Sequence, residues 1–176
     1  YLAFYTLLLF LWTHSVFSQL APFTLSVTKT NETCTGNGTL NFSVSGTTPG
    51  ASIFYSVYLT PNLTTPIAVV TTASLGGLAA GNYAVIATQS LGAETNAQYQ
   101  EVRIVDVRAA LAYDVVGQPV NCLTGQIAVN VTQGTAATYQ ISAGPVIVPP
   151  QTSNVFLNLP IGQYTIKVTD VCGDVL

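Results

Sequence analysis

Apolar and polar residues alternate with a period of two through five stretches of the first half of the chain, at residues 23–27, 40–44, 53–59, 83–87 and 102–104. That period puts alternate side chains on one face, so each stretch predicts a half-buried β-strand. Between them stand Gly36-Asn-Gly38, Gly46-Thr-Thr-Pro-Gly50, Pro61-Asn62, Gly76-Gly77 and Gly92. Gly, Pro and Asn are the residues that supply tight-turn backbone angles. No helical period survives after Gln19. About seven short strands within about 85 residues, separated by such turns, is the expectation for an immunoglobulin-like sandwich of two sheets.

The scheme then repeats, with alternation at residues 111–113, 127–131, 139–141, 155–159 and 164–168. The strongest internal match is Leu78-Ala-Ala-Gly81-Asn-Tyr83-Ala-Val85-Ile-Ala87-Thr88 against Leu159-Pro-Ile-Gly162-Gln-Tyr164-Thr-Ile166-Lys-Val168-Thr169. A motif recurring about eighty residues on, with its own turn glycine, tyrosine and alternating strand, marks a domain copied in tandem. Tyr83 and Tyr164 suit a corner role, the hydroxyl tying back to the preceding loop. The alternative is a large core residue at the start of a strand. The first copy runs on past Thr88 to a strand around Val102 and Ile104, whereas the second reaches Leu176 before an equivalent strand begins. The expected fold is therefore all-β, tandem immunoglobulin-like sandwiches at 19–107 and 108–176, the second lacking its last strand. A sandwich without that strand leaves an unmanaged edge, which is expected to be completed by sequence beyond the record or by a strand donated from a partner.

Composition narrows the function. Residues 1–18 are apolar apart from Thr6, Thr13, His14, Ser15 and Ser18, a run shorter than the ~20 residues a membrane-spanning helix needs. It reads as a secretory signal peptide cleaved after Ser18, and the missing initial Met and basic leader point to a record clipped at its start. Beyond it the only cations are Lys29, Arg103, Arg108 and Lys167, against seven carboxylates. No basic stripe exists to neutralise phosphates, so nucleic acid is not an expected partner. Past the signal segment there is no histidine, so neither a Ser-His-Asp nor a Cys-His arrangement can be assembled, and no carboxylate pair stands out as a glycosidase dyad. The expectation is a protein that is not an enzyme and holds no cofactor and no metal. Asp106 with Asp114, and Asp170 with Asp174, lack calcium-loop spacing and read as solvated turn residues. Five Asn-x-Ser/Thr triplets, at Asn31, Asn37, Asn41, Asn62 and Asn130, are what a chain this rich in Asn and Thr produces by chance.

An exported chain meets an oxidising compartment, and this one has three cysteines. Cys34 and Cys122 occupy equivalent places before the second strand of each copy, and Cys172 follows the tyrosine strand of the second copy, where the first has Leu91. The expected disulfide is Cys122–Cys172, within the second copy. Cys34 is left over, read as a buried small apolar residue in preference to an intermolecular thiol.

The run Leu159-Pro-Ile-Gly162-Gln-Tyr164-Thr-Ile-Lys-Val168-Thr169-Asp170-Val-Cys172-Gly173, preceded by Cys122 and the 127–131 strand, resembles the repeats of SprB-type gliding-motility adhesins. A signal peptide closing in Ser-Gln is also similar to those of Bacteroidota that carry such repeats. The resemblance covers most of residues 108–176 and, more weakly, 20–107. It departs from the family in the first copy's missing second cysteine and in the absence of a C-terminal sorting domain within these residues. It implies a secreted, cell-surface repeat protein acting in adhesion or gliding motility, exported by type IX secretion. Its partners would be surface glycans or other cell-surface proteins, with neighbouring repeats of the same chain beside it. The competing expectations are accessory modules of a secreted hydrolase and a fimbrial subunit completed by a donated strand.

Overall fold

The computed structural model describes residues 20–176, so the signal peptide read over 1–18 lies outside the described residues. Those residues are all-β, with thirteen strands and no helix among them. In the first unit β1 (Thr24–Thr30), β2 (Gly38–Ser45) and β5 (Ser74–Leu78) form one antiparallel sheet in the order β1-β2-β5. Facing it is β4-β3-β6-β7, made of β3 (Ser52–Leu59), β4 (Ala68–Val70), β6 (Gly81–Leu91) and β7 (Glu94–Ile104). The second unit repeats the order. Here β8 (Ala112–Pro119), β9 (Thr124–Gln133) and β12 (Val155–Pro160) pair as β12-β9-β8, opposite β10 (Ala136–Ala143), β11 (Val148–Gln151) and β13 (Thr165–Asp170) paired as β11-β10-β13. Strand for strand the second unit matches the first, β7 excepted.

Each unit closes over its own core, because the inward positions of its two sheets meet. The first core holds eleven buried residues, Leu40, Val57, Val85, Tyr83 and Ile104 among them, with Phe42 stacked on Tyr55 at a ring separation of 4.6 Å. The second holds five, namely Val129, Ile141, Phe156, Leu159 and Val168. The difference has a visible source. In the first unit Ile104 of β7 pairs across from Gly81 and lies against Gly38, leaving no room there for even a methyl group. In the second unit the same place, between Gly125, Leu159 and Tyr164, is a cleft of about 320 Å³.

Several sequence expectations need adjusting. Gly76-Gly77, read as a turn, lies inside β5, where a register shift between Gly38 and Leu40 and a φ of 76° at Gly77 mark a bulge. Asn158, with φ 56°, stands at the matching position one residue before Leu159. Gly and Asn are the residues that tolerate this left-handed backbone. Strand β11 contains Pro149 and Pro150, which a sequence reading counts against strand, and it is accommodated at a sheet edge where no donated hydrogen bond is lost. The missing last strand of the second unit also begins earlier than expected. Asp174 to Leu176 fold back along β13, Val168 and Leu176 exchanging both backbone hydrogen bonds at 2.9 and 3.0 Å.

Replacing the fully buried Leu40 with Ala is expected to destabilise the first unit by about 2–5 kcal/mol, lost transfer energy plus a cavity. The same change at Leu157, 61% exposed, is expected to alter stability by less than about 0.5 kcal/mol. Thermal or urea unfolding of the two variants measures the difference.

Candidate functional site at the joint between the two units

The chain passes from the first unit to the second through residues 105–111, and this passage is anchored to the first unit. Glu32, after β1, is 3% exposed and works as a hub. Its backbone N–H donates to Val105 O at 3.0 Å, and its carbonyl accepts from Val107 N at 2.9 Å, a parallel bridge that lays the connection against the end of the sandwich. Its carboxylate accepts from Gly36 N at 2.7 Å and Ala80 N at 2.6 Å, tying the β1–β2 turn to the loop before β6. Those two amide donors, Gly36 first, hold the Glu32 carboxyl below its ordinary pKa.

Two residues further along, Arg108 grips Asp106 in a two-pronged ion pair, Nε to Oδ1 at 3.0 Å and Nη2 to Oδ2 at 2.7 Å. The planar guanidinium suits this geometry. Its remaining arm donates from Nη1 to Thr35 Oγ1 at 2.9 Å, pinning the connection to the residue beside Cys34. Hydrogen bonding to Arg108 lowers the pKa of Asp106 to about 2, and Asp106 raises that of Arg108 in return.

The covalent element is a disulfide between Cys34 and Cys172, 138 residues apart with Cα atoms 5.4 Å from each other. It joins the β1–β2 turn of the first unit to the turn after β13 of the second. That second turn is held by Asp170, whose Oδ1 accepts from Cys172 N and Asp174 N, both at 2.8 Å. Closing so long a loop in the unfolded chain costs about 5 kcal/mol of entropy on the chain-entropy model. Beside the bridge is an open cleft of about 480 Å³ lined by Thr33, Thr35, Arg108, Leu111, Asp170 and Leu176.

The expected Cys122–Cys172 pair is therefore corrected: Cys172 is bonded to Cys34, and Cys122 is free and exposed. The reason is strand direction. Thr124, at the start of β9, pairs with Pro160, whereas Asp170, at the end of β13, pairs with Ala136 beyond the far end of β9. Cys122 and Cys172 thus stand at opposite ends of the second sandwich, separated by the length of the ten-residue β9, roughly 30 Å at about 3.3 Å per residue. A disulfide requires Cα atoms within about 7 Å. The reading of Cys34 as an unpaired relic falls with it.

The two tyrosines of the repeated motif make the same contact. Tyr83 OH donates to Ala79 O and Tyr164 OH to Pro160 O, each at 2.7 Å. Burial, and secondarily the Glu32 charge, push the Tyr83 phenol above its ordinary pKa, keeping the donor protonated. Gly81 and Gly162 stand where a side chain would strike Leu59 and Pro145 respectively. Of the carboxylates weighed in the sequence, Asp106 and Asp170 are engaged as described, and Asp114 is exposed on β8. Sequence reading missed Glu32, Thr35 and Arg108. The one available signal was a Glu and a Gly flanking Cys34, an arrangement too common to single out.

Two outcomes are expected at this joint. Reducing the disulfide, or replacing Cys172 with Ser, leaves the two units connected through exposed residues 107–110 alone. Small-angle scattering should then give a larger radius of gyration and proteases should cut the connection faster, with unchanged values counting against a structural clamp. Acid should loosen the joint as well. Glu32 and Asp106 have folded pKa values below their ordinary 4.5 and 3.8, so their stabilisation is complete near pH 6 and fades as pH falls below those values. The share from Asp106 is gone once that carboxylate protonates near 2. Melting curves between pH 6 and 2 should show a shallower decline for Asp106→Asn than for the unaltered protein.

No protein-family model matches this chain, and no curated protein matches it.

Proposed function

We propose that the chain is a non-enzymatic, extracellular repeat protein, part of a cell-surface adhesin serving attachment or gliding motility. The observation that carries the reading is the joint. A disulfide ties one sandwich to the next, while a bidentate ion pair and a buried glutamate fix the connection against the first sandwich, which is what a stalk under tension needs and what a freely jointed linker does not provide. The disulfide also suits an oxidising environment outside the cytoplasm. Stiff repeats extend the binding surface from the cell, and many weak contacts to surface glycans or to proteins on other cells sum through effective concentration.

The repeated Gly-x-Tyr strand and the placement of Cys172 support the SprB-type assignment, from which export by type IX secretion follows as part of the same proposal. The exposed loop at residues 61–65, Pro-Asn-Leu-Thr-Thr, is the surface offered for glycan contact.

Antibody fragments against residues 20–176 should label intact, unpermeabilised cells and reduce their attachment to surfaces or their gliding speed. Labelling only after permeabilisation overturns the surface assignment. Surface labelling without any effect on attachment or movement, together with hydrolase activity in the immunopurified polypeptide, favours accessory modules of a secreted enzyme instead.

A further inference from the structure

The bridged joint links two differently placed turns: the turn between the first two strands of the leading sandwich, holding Cys34, and the turn after the tyrosine strand of the following one, holding Cys172. These turns lie at opposite ends of a sandwich, so the bond runs from the trailing end of one unit to the leading end of the next. The second unit has its own trailing end, and Cys122 occupies there the place Cys34 occupies in the first, in the turn between β8 and β9.

We infer that Cys122 is the half-staple for another sandwich docked on the trailing end of the second unit, through a cysteine in the turn after that sandwich's tyrosine strand. The inference rests on the reading of the chain as a head-to-tail repeat and adds the identity and orientation of its next neighbour.

Two independent features support it besides the thiol. The equivalent residue in the first unit is bonded in the way proposed, to a turn of the stated kind. The surface around Cys122 is also that of an interface: Val120 is 57% exposed, Leu123 78% and Ile161 81%, all at this end of the sandwich. At the corresponding places the first unit carries Glu32 and Thr35, hydrogen-bonded to the connection, and Ala80, whose N–H donates to the Glu32 carboxylate. A collar of exposed aliphatic residues around a free thiol fits a docked domain. The cysteine count follows as well. The first unit has Leu91 where the second has Cys172, so it can give a bridge forward and receive none, whereas the second can do both.

Forming the bond requires an oxidant. A disulfide-bearing oxidoreductase of the export compartment is attacked by the Cys122 thiolate, giving a mixed disulfide. The incoming domain's thiolate then displaces the oxidoreductase sulfur. Two protons and two electrons pass from the pair of thiols to the oxidoreductase, which leaves as a dithiol.

The test is disulfide mapping of the whole protein taken from its native source, digested without reduction and read by mass spectrometry. The expected result is two bridges, Cys34–Cys172 and a second joining Cys122 to a cysteine shortly after a Gly-x-Tyr strand. Alkylation of Cys122 before reduction, or a symmetric Cys122–Cys122 link between two chains, overturns the inference. A second readout is independent of the map. Replacing Cys122 with Ser in the whole protein should expose one new maleimide-reactive thiol per chain, the partner's, and a variant that exposes none also overturns it. Failure here with intact surface labelling leaves the adhesin reading standing. Failure of surface labelling with both bridges present removes that reading and keeps the staple.

Discussion

The direction of the strands is the constraint from which the rest of the molecule follows. In each sandwich the turn after the first strand and the turn after the tyrosine strand lie at opposite ends, because every neighbouring strand pair within each sheet is antiparallel. A bond between those two kinds of turn cannot form inside one unit and can form only between successive ones. The Cys34–Cys172 bridge is this bond, and it sets the head-to-tail arrangement in which Glu32, Arg108 and Thr35 do their work.

The joint also offsets a weakness of the second unit. That unit buries fewer than half as many core residues as the first, and its β13 edge is paired with the short stretch Asp174 to Leu176 alone. Burial supplies the main driving force for folding, so the smaller core leaves the second sandwich more dependent on what it is tied to. A bridge that removes entropy from the unfolded chain stabilises both units together, whichever opens first. The chemistry of the joint is correspondingly structural. Glu32, Asp106, Arg108 and Asp170 are engaged with one another, with backbone amides or with a hydroxyl, and these hydrogen bonds hold the connection and the turn after β13 in place.

Much of the fold was legible in the chain. Alternation with a period of two marks residues that face a core, and that property is local, so the strands around Leu40, Val57, Val85, Val129 and Val168 could be placed from sequence. The tyrosine strand was legible twice over, since Gly81 with Tyr83 and Gly162 with Tyr164 answer the same local demand: no side chain at the turn, and a hydroxyl returning to the preceding loop. Strands that break the local rules were not legible. Strand β11 carries two prolines that only an edge tolerates, and β5 carries two glycines at a bulge, and both conditions depend on the neighbouring strand.

What the sequence by itself determined was the all-β class, the duplication and the positions of most turns, Gly76-Gly77 excepted, because these depend on residues close together in the chain. Only the tertiary structure decided which cysteines meet. Cys122 and Cys172 look like partners along the chain, yet β9 and β13 carry them to opposite ends of the second sandwich, while the connection at residues 105–111 brings Cys34, 138 residues away, within reach. Sequence separation does not encode that proximity. It follows from strand direction and the stacking of one unit on the next, which exist only once both sandwiches have closed.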